Sequence, residues 1–261
     1  MSYNTNVAIP QGGDSLRFGQ QAGIDTTHAW RGAQQVLAGG IIAPEFIGFG
    51  DDFLGDAINA TWSTDTGGGS TALNQQASGV VRLTTGATAN NHFSYALGLH
   101  WKPSNGLLVF SARVAQVSAV TARAVEVGWS NALSRTSGRA FTAMTLAGVT
   151  SAASADAAVF GWDTGGSLTT YHALTAKNAA AQAAAITGVA PSTAFDYLTV
   201  AIDASGNAFF FTGKTPVLKA YIANAVTATA LLSPWVSITT LTSAAISMDV
   251  DYITAVGSRP E

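Results

Sequence analysis

The chain reads as an all-β protein, an antiparallel β-sandwich preceded by an extended N-terminal arm. Three observations carry that reading. Short runs rich in β-branched and aromatic residues recur along residues 48–261. Turn clusters separate them, at Thr66-Gly67-Gly68-Gly69-Ser70, Pro103-Ser104-Asn105-Gly106, Thr136-Ser137-Gly138 and Thr164-Gly165-Gly166-Ser167. No 3.6-residue apolar period is sustained.

The strands follow in order. Candidates are Gly79–Thr84, Phe93–Leu99, Leu107–Val117, Ala122–Trp129, Arg139–Leu146, Ala157–Asp163 and Thr169–Leu174. Tyr197–Asp203, Ala208–Thr212, Trp235–Thr240 and Ile246–Val256 complete the set. The stretch from Phe195 to Gly213 is the clearest hairpin: an alternating run, then Asp203-Ala204-Ser205-Gly206-Asn207, then a second run. Asp and Asn bond their own backbone there, and Gly supplies positive φ. The last strand alternates, with Ile246, Met248, Val250 and Tyr252 expected on one face and Asp249, Asp251 and Ile253 on the other. Two stretches stay open. Ala-rich 178–190 reads as a short helix, a strand or a loop, and 220–231 is ambiguous.

Residues 1–47 have a different texture. Apolar pairs alternate with Gly and polar pairs, which is too little for a core of its own. The segment reads as an arm lying on another surface, with Ile9, Leu16, Phe18, Trp30, Ile41 and Ile42 as its docking side chains. The division is therefore 1–47, arm, and 48–261, sandwich.

Composition bounds the function. Charged residues are 10% of the chain, against about 25% in ordinary soluble domains. A charge-poor surface repels its copies weakly, so a homo-oligomer is expected. With net charge −3 and no basic run, the chain lacks the patch that nucleic-acid binding requires. There is no cysteine, which removes disulfides, thiolate nucleophiles and Cys-based zinc sites. No apolar stretch is long enough for a membrane helix, and the N-terminus lacks the pattern of a secretory signal, so neither membrane insertion nor secretion is expected.

Several motifs bear on chemistry. Gly213-Lys214-Thr215 resembles the end of a phosphate loop, but Ala208 stands where its first glycine belongs. Ser130, in Gly128-Trp129-Ser130-Asn131-Ala132, lacks the last glycine of a nucleophile elbow. His28, His92, His100 and His172 lack metal-ligand spacing. Asp51, Asp52 and Asp56 near the domain start, with Asp249 and Asp251 near its end, could converge on calcium. The plainer reading has Asp51 and Asp52 capping a turn and Asp251 binding backbone amides. No metal or cofactor is assigned. Trp30, Trp101, Trp162 and Trp235 are expected near loops or strand ends, where sugars stack, and Trp62 and Trp129 in the core.

Asp51-Asp52-Phe53 with Trp62, the strands Gly79–Leu83, Leu107–Val117 and Ala124–Trp129, and the closing Asp249-Val250-Asp251-Tyr252-Ile253 together resemble the concanavalin A-like lectin/glucanase jelly roll over residues 49–256. The arm motif Ile9-Pro10-Gln11-Gly12-Gly13-Asp14-Ser15-Leu16-Arg17-Phe18 resembles that of tailed-phage virion structural proteins. That resemblance implies a capsid decoration (cement) protein, found in the virion after synthesis in the host cytoplasm. It would dock as a homotrimer on the major capsid protein or another virion protein. The alternative is a carbohydrate-binding module or a tail fibre or appendage domain, with glycan as the ligand.

Glucanases of this jelly-roll class carry Glu-x-Asp-x-x-Glu on one strand, the source of their paired carboxylates. The glutamates here are Glu45, Glu126 and Glu261, and none has such a companion nearby in sequence. Glu126 is the best single candidate for a cleft carboxylate, and it needs an Asp from another strand. The expectation is therefore a protein that is not an enzyme.

Overall fold

The computed structural model describes residues 46–53, 62–65, 67–74, 79–117, 121–132, 138–145, 148–152, 154–181 and 185–258. The arm residues Ile9, Leu16, Phe18, Trp30, Ile41 and Ile42 lie outside them, as do His28 and Asp56.

Regular structure among the described residues is β, apart from one 3-10 turn at Pro103–Asn105. The first half of the chain supplies β1 (Phe46–Asp51), β2 (Ser63–Asp65), β3 (Ser70–Asn74), β4 (Val80–Thr84), β5 (His92–Ala96), β6 (Leu108–Gln116) and β7 (Arg123–Ser130). Then come β8 (Phe141–Thr145), β9 (Gly148–Ala152), β10 (Ala157–Asp163), β11 (His172–Lys177), β12 (Ala180–Ala181) and β13 (Ala185–Ile186). The chain closes with β14 (Asp196–Ile202), β15 (Ala208–Thr212), β16 (Val217–Ile222), β17 (Ser233–Thr240) and β18 (Ser247–Ser258).

Two antiparallel sheets face each other. The first runs β16-β15-β14-β6-β18-β4-β3, with β1 also against β18. Long β18 divides one edge between two neighbours: β4 pairs with Ser247–Val250 and β1 with Ile253–Ser258. The second sheet runs β12-β11-β10-β7-β17-β5-β2, with β13 also on β11. β8 and β9 form a separate hairpin that joins neither ladder.

The core lies between the sheets. Phe110, Val114, Leu198, Val200, Phe210 and Val250 of the first sheet are buried with Phe93, Val125, Val127, Trp129, Phe160 and Val236 of the second. Trp129 spans the layers: its indole N–H donates to the Val200 carbonyl at 3.1 Å, and its ring packs edge-on to Phe110 at 6.0 Å. At one end, buried Arg123 donates to Gln116 Oε1 at 2.8 Å and to the Ser247 carbonyl at 3.2 Å, tying strands of both sheets together. A buried guanidinium needs such acceptors to offset its lost hydration.

The expected hairpin is β14–β15. Asp203 Oδ1 accepts the N–H groups of Ser205 and Asn207, and Gly206 sits at φ +81°, a backbone conformation that favours glycine. Most expected strands shift by a residue or two. The strand expected over 169–174 starts at His172, because the preceding turn folds back onto Asp163, whose Oδ1 takes the N–H of Gly165 at 2.8 Å. Among the described residues of 178–190, the open choice resolves to the short strands β12 and β13, and β16 occupies the first residues of the ambiguous 220–231 stretch.

The facing expected for the last strand needs correction. A β-bulge between Val250 and Tyr252 sets Asp251 and Tyr252 together opposite Arg113. The bulge shifts the alternation by one residue. Met248, Val250 and Ile253 are core residues, and Tyr252 lies on the outer face with the aspartates. There Asp249 pairs with Arg82 at 2.7 Å and Asp251 pairs with Arg113. Arg113 also lies 4.2 Å above the ring of Phe195.

Asp196 gives one expected result. It opens β14, half-buried, and its Oδ2 accepts from Ser192 N–H at 3.3 Å and Tyr171 O–H at 3.4 Å. Burial pushes its pKa up to about 6, against the pull of those donors. The folded state therefore holds the proton more tightly than the unfolded chain does. Stability from this group is complete below about pH 4 and is lost as pH rises through 6. Asp196→Asn is expected to flatten the fall in urea midpoint between pH 4 and 7; an unchanged slope would refute the assignment.

Candidate functional site

The outer face of the second sheet gathers the polar groups. On β7, Trp129 points inward, so by strand alternation Glu126 points outward. Register then fixes its neighbours. Ser237 on β17 pairs with Glu126, and Ser94 on β5 pairs with Ser237. On the other side Gly161 on β10 pairs with Glu126, and His172 on β11 pairs with Gly161. Directly paired residues share a face, so Ser94, Ser237, Glu126 and His172 form one row across five strands. At about 4.8 Å per strand the row is about 19 Å long.

Residues 138–145 lie over this row. Glu126 is fully buried and fully engaged: Oε2 accepts the Ala140 N–H at 2.5 Å and the Trp235 indole N–H at 3.0 Å, and Oε1 accepts the Phe141 N–H at 2.9 Å. Burial raises its pKa, while the charge of Arg139 and the three N–H donors pull it down. Arg139 forms a buried ion pair with Asp163 of β10. Asp163 pairs in register with Ala124, two residues from Glu126 on the neighbouring strand, so the two carboxylates are diagonal neighbours about 7–8 Å apart at Cα. The partner that Glu126 lacks in sequence is thus brought to it by the fold.

The flanks of the row are less well served. Ser94 Oγ, Ser237 Oγ and His172 Nδ1 are buried and have no hydrogen-bond partner among the described residues; Arg139 Nε is in the same condition. Burial lowers the pKa of His172, which favours the neutral ring. Each such orphan costs about 1–3 kcal/mol if nothing meets it. Together with Glu126, Ser94, Ser237 and His172 make a row of hydroxyl, imidazole and carboxylate groups, a set that recognises a polyol by hydrogen bonds. Gly161, between Glu126 and His172, makes room for the side chains that cover the row there: a Cβ would meet Leu174 Cδ1 at 2.2 Å and Met144 Sδ at 2.8 Å.

Other candidates fall elsewhere. Trp101, Trp162 and Trp235 are buried, which corrects their expected place as exposed stacking platforms, while Trp62 and Trp129 are core as expected. The exposed large apolar side chains among the described residues are Val217, Leu218, Tyr221 and Leu231. Ser130 is buried, bonded to Ser154 Oγ at 2.8 Å. His92 is buried and accepts the Gly67 N–H at 3.3 Å, while His100 is exposed. Gly213-Lys214-Thr215 is an exposed turn between β15 and β16. Asp51 takes the Phe53 N–H at 2.9 Å, the turn cap expected of it, and the Trp62 indole N–H at 2.8 Å. The plainer reading of Asp251 is corrected: its partner is the guanidinium of Arg113, which the bulge sets opposite it. Sequence alone gave no sign of Ser94, Ser237, Arg139 or Asp163, because their grouping depends on strand register.

No protein-family model matches the chain, and no curated protein matches its sequence. Solved structures do match in fold. The carbohydrate recognition domain of Emp47p is 11% identical with a TM-score of 0.56, over 84% of this chain and 99% of that one. Peanut lectin, solved with a nine-residue peptide, is 12% identical with a TM-score of 0.55, over 83% and 100%. The endo-β-1,4-glucuronan lyase from the fungus Trichoderma reesei is 10% identical with a TM-score of 0.51, over 81% and 95%. Nothing in the comparisons points to a virion protein. What the chain shares with these structures is the concanavalin A-like lectin/glucanase jelly roll.

Proposed function

We propose that the protein is a glycan-binding β-sandwich module whose sugar site is the outer face of the second sheet. One observation carries the reading: Ser94 Oγ, Ser237 Oγ and His172 Nδ1 are buried, unpartnered among the described residues and aligned with Glu126. A fold leaves hydrogen-bonding groups unmet at a cost, and such groups cluster where a ligand or ordered water meets them. A row about 19 Å long suits an oligosaccharide of several residues rather than a single sugar. The lectin and carbohydrate-recognition neighbours support the same reading.

The test is an array of neutral and acidic oligosaccharides of two to six residues, probed with the wild-type chain and a Ser94→Ala/Ser237→Ala variant. The variant is expected to lose at least tenfold in glycan affinity. Its stability is expected to stay level or rise, because removing an orphaned buried hydroxyl removes its desolvation cost. Lost stability with unchanged glycan affinity would sink the proposal.

A second reading draws on the diagonal pair Glu126 and Asp163 and on the glucuronan lyase neighbour: glycan cleavage at the same row. New reducing ends appearing during the array incubation would favour it. Binding is preferred because both carboxylates are saturated by groups of their own chain.

A further inference from the structure

We propose that the segment Gly138–Phe141 is a built-in stand-in for the ligand, and that glycan reaches the row only when this cover lifts. The inference rests on the glycan reading and adds how the site is regulated. The first ground is chemical mimicry. The N–H groups of Ala140 and Phe141 donate one to each oxygen of Glu126, at 2.5 and 2.9 Å. Two adjacent sugar hydroxyls would engage a carboxylate in the same fork. The second ground is incomplete coverage. The segment satisfies the middle of the row and leaves Ser94, Ser237 and His172 unmet on either side. A ligand longer than the segment would meet all of them.

The third ground is mechanical. The segment runs into β8 at Phe141, and the β8–β9 hairpin belongs to neither main ladder, so lifting it breaks no pairing of the two main sheets. Ala140, Phe141 and Met144 are buried against the core, and the polar contacts that hold the cover are local. Arg139 is paired with Asp163, the Ala140 carbonyl accepts the Ser154 N–H at 3.0 Å, and Ser154 Oγ bonds to Ser130 Oγ. Arg139 is the natural latch. Without it Asp163 still keeps the N–H groups of Gly165 and Gly166, so the carboxylate is not left bare. If the closed form predominates, apparent affinity is reduced by the fraction open, and loosening the latch recovers it.

The experiment has two independent readouts on the full chain. Hydrogen exchange without glycan follows the amides of Ala140 and Phe141. They are expected to exchange by local opening, faster than the amides of β7 and β17, and at least tenfold faster again in Arg139→Ala. Titration with the best array oligosaccharide is expected to show about tenfold tighter binding by Arg139→Ala than by wild type. If Arg139→Ala does not fold, Ser154→Ala, which keeps the N–H on the Ala140 carbonyl but frees residue 154 from Ser130, loosens the other end and carries the same direction of effect. Exchange of Ala140 and Phe141 only by global unfolding overturns the inference, whatever the chain binds. So does glycan affinity that is unchanged or weaker in the loosened variant. Local opening with no glycan bound by either form leaves the moving cover in place and removes the glycan reading.

Discussion

Gly128→Ala is expected to destabilise the protein by about 3 kcal/mol or more, enough to prevent folding in a marginal background. Gly128 lies in β7, the middle strand of the second sheet, between β10 and β17. A Cβ at this position would stand 2.4 Å from the Ala158 carbonyl oxygen and 2.8 Å from the Val159 Cα. Both obstacles are backbone, so no rotamer change relieves them. The ladder that pairs Val159 with Gly128 would have to open in the middle of the sheet. Thermal unfolding of the variant, with Ala132→Gly as a buried control off the ladder, checks the effect. A loss under 1 kcal/mol would mean that β7 and β10 are not as closely paired as described.

Glu126→Ala is expected to cost about 4 kcal/mol. Three N–H groups lose their acceptor together, those of Ala140, Phe141 and Trp235. Each stranded donor costs about 1–3 kcal/mol, and the cavity adds to this. Relief from burying a carboxylate offsets part of the sum. Glu126→Gln keeps the shape but turns an NH2 group toward the donors, so about half the loss is expected. The damage is also localised: amide protection is expected to collapse at Ala140 and Phe141 first, while Trp129 stays in place. Uniform loss across both sheets would argue that Glu126 supports the whole sandwich rather than the cover.

The β-architecture was legible because alternation and turn chemistry act over a few residues. Runs such as Ala157–Asp163 and Ala208–Thr212 have their sequence-derived bounds in the structure. The facing of the last strand was misread at Tyr252, since a bulge is a one-residue insertion relative to a partner that sequence does not reveal. Short β2, β12 and β13 left no usable pattern, being two or three residues long. Glu126 was visible as an isolated acid. Its diagonal companion Asp163 and its row companions Ser94, Ser237 and His172 come from four other strands, 32 to 111 residues away, and only register aligns them. The tryptophans were misplaced for a related reason. Trp162 is the last but one residue of β10, yet its ring turns inward and its indole N–H donates to the Leu168 carbonyl at 2.8 Å.

The most direct measurement follows the indole N–H resonances during titration with an array-selected oligosaccharide. Trp235 Nε1–H donates to Glu126 in the row, and Trp129 Nε1–H donates to Val200 between the sheets. Assigned through Trp235→Phe, the Trp235 signal is expected to move to a saturated position while the Trp129 signal stays fixed. A glycan that binds and leaves Trp235 unmoved, or a full panel that leaves both signals where they were, would contradict the account.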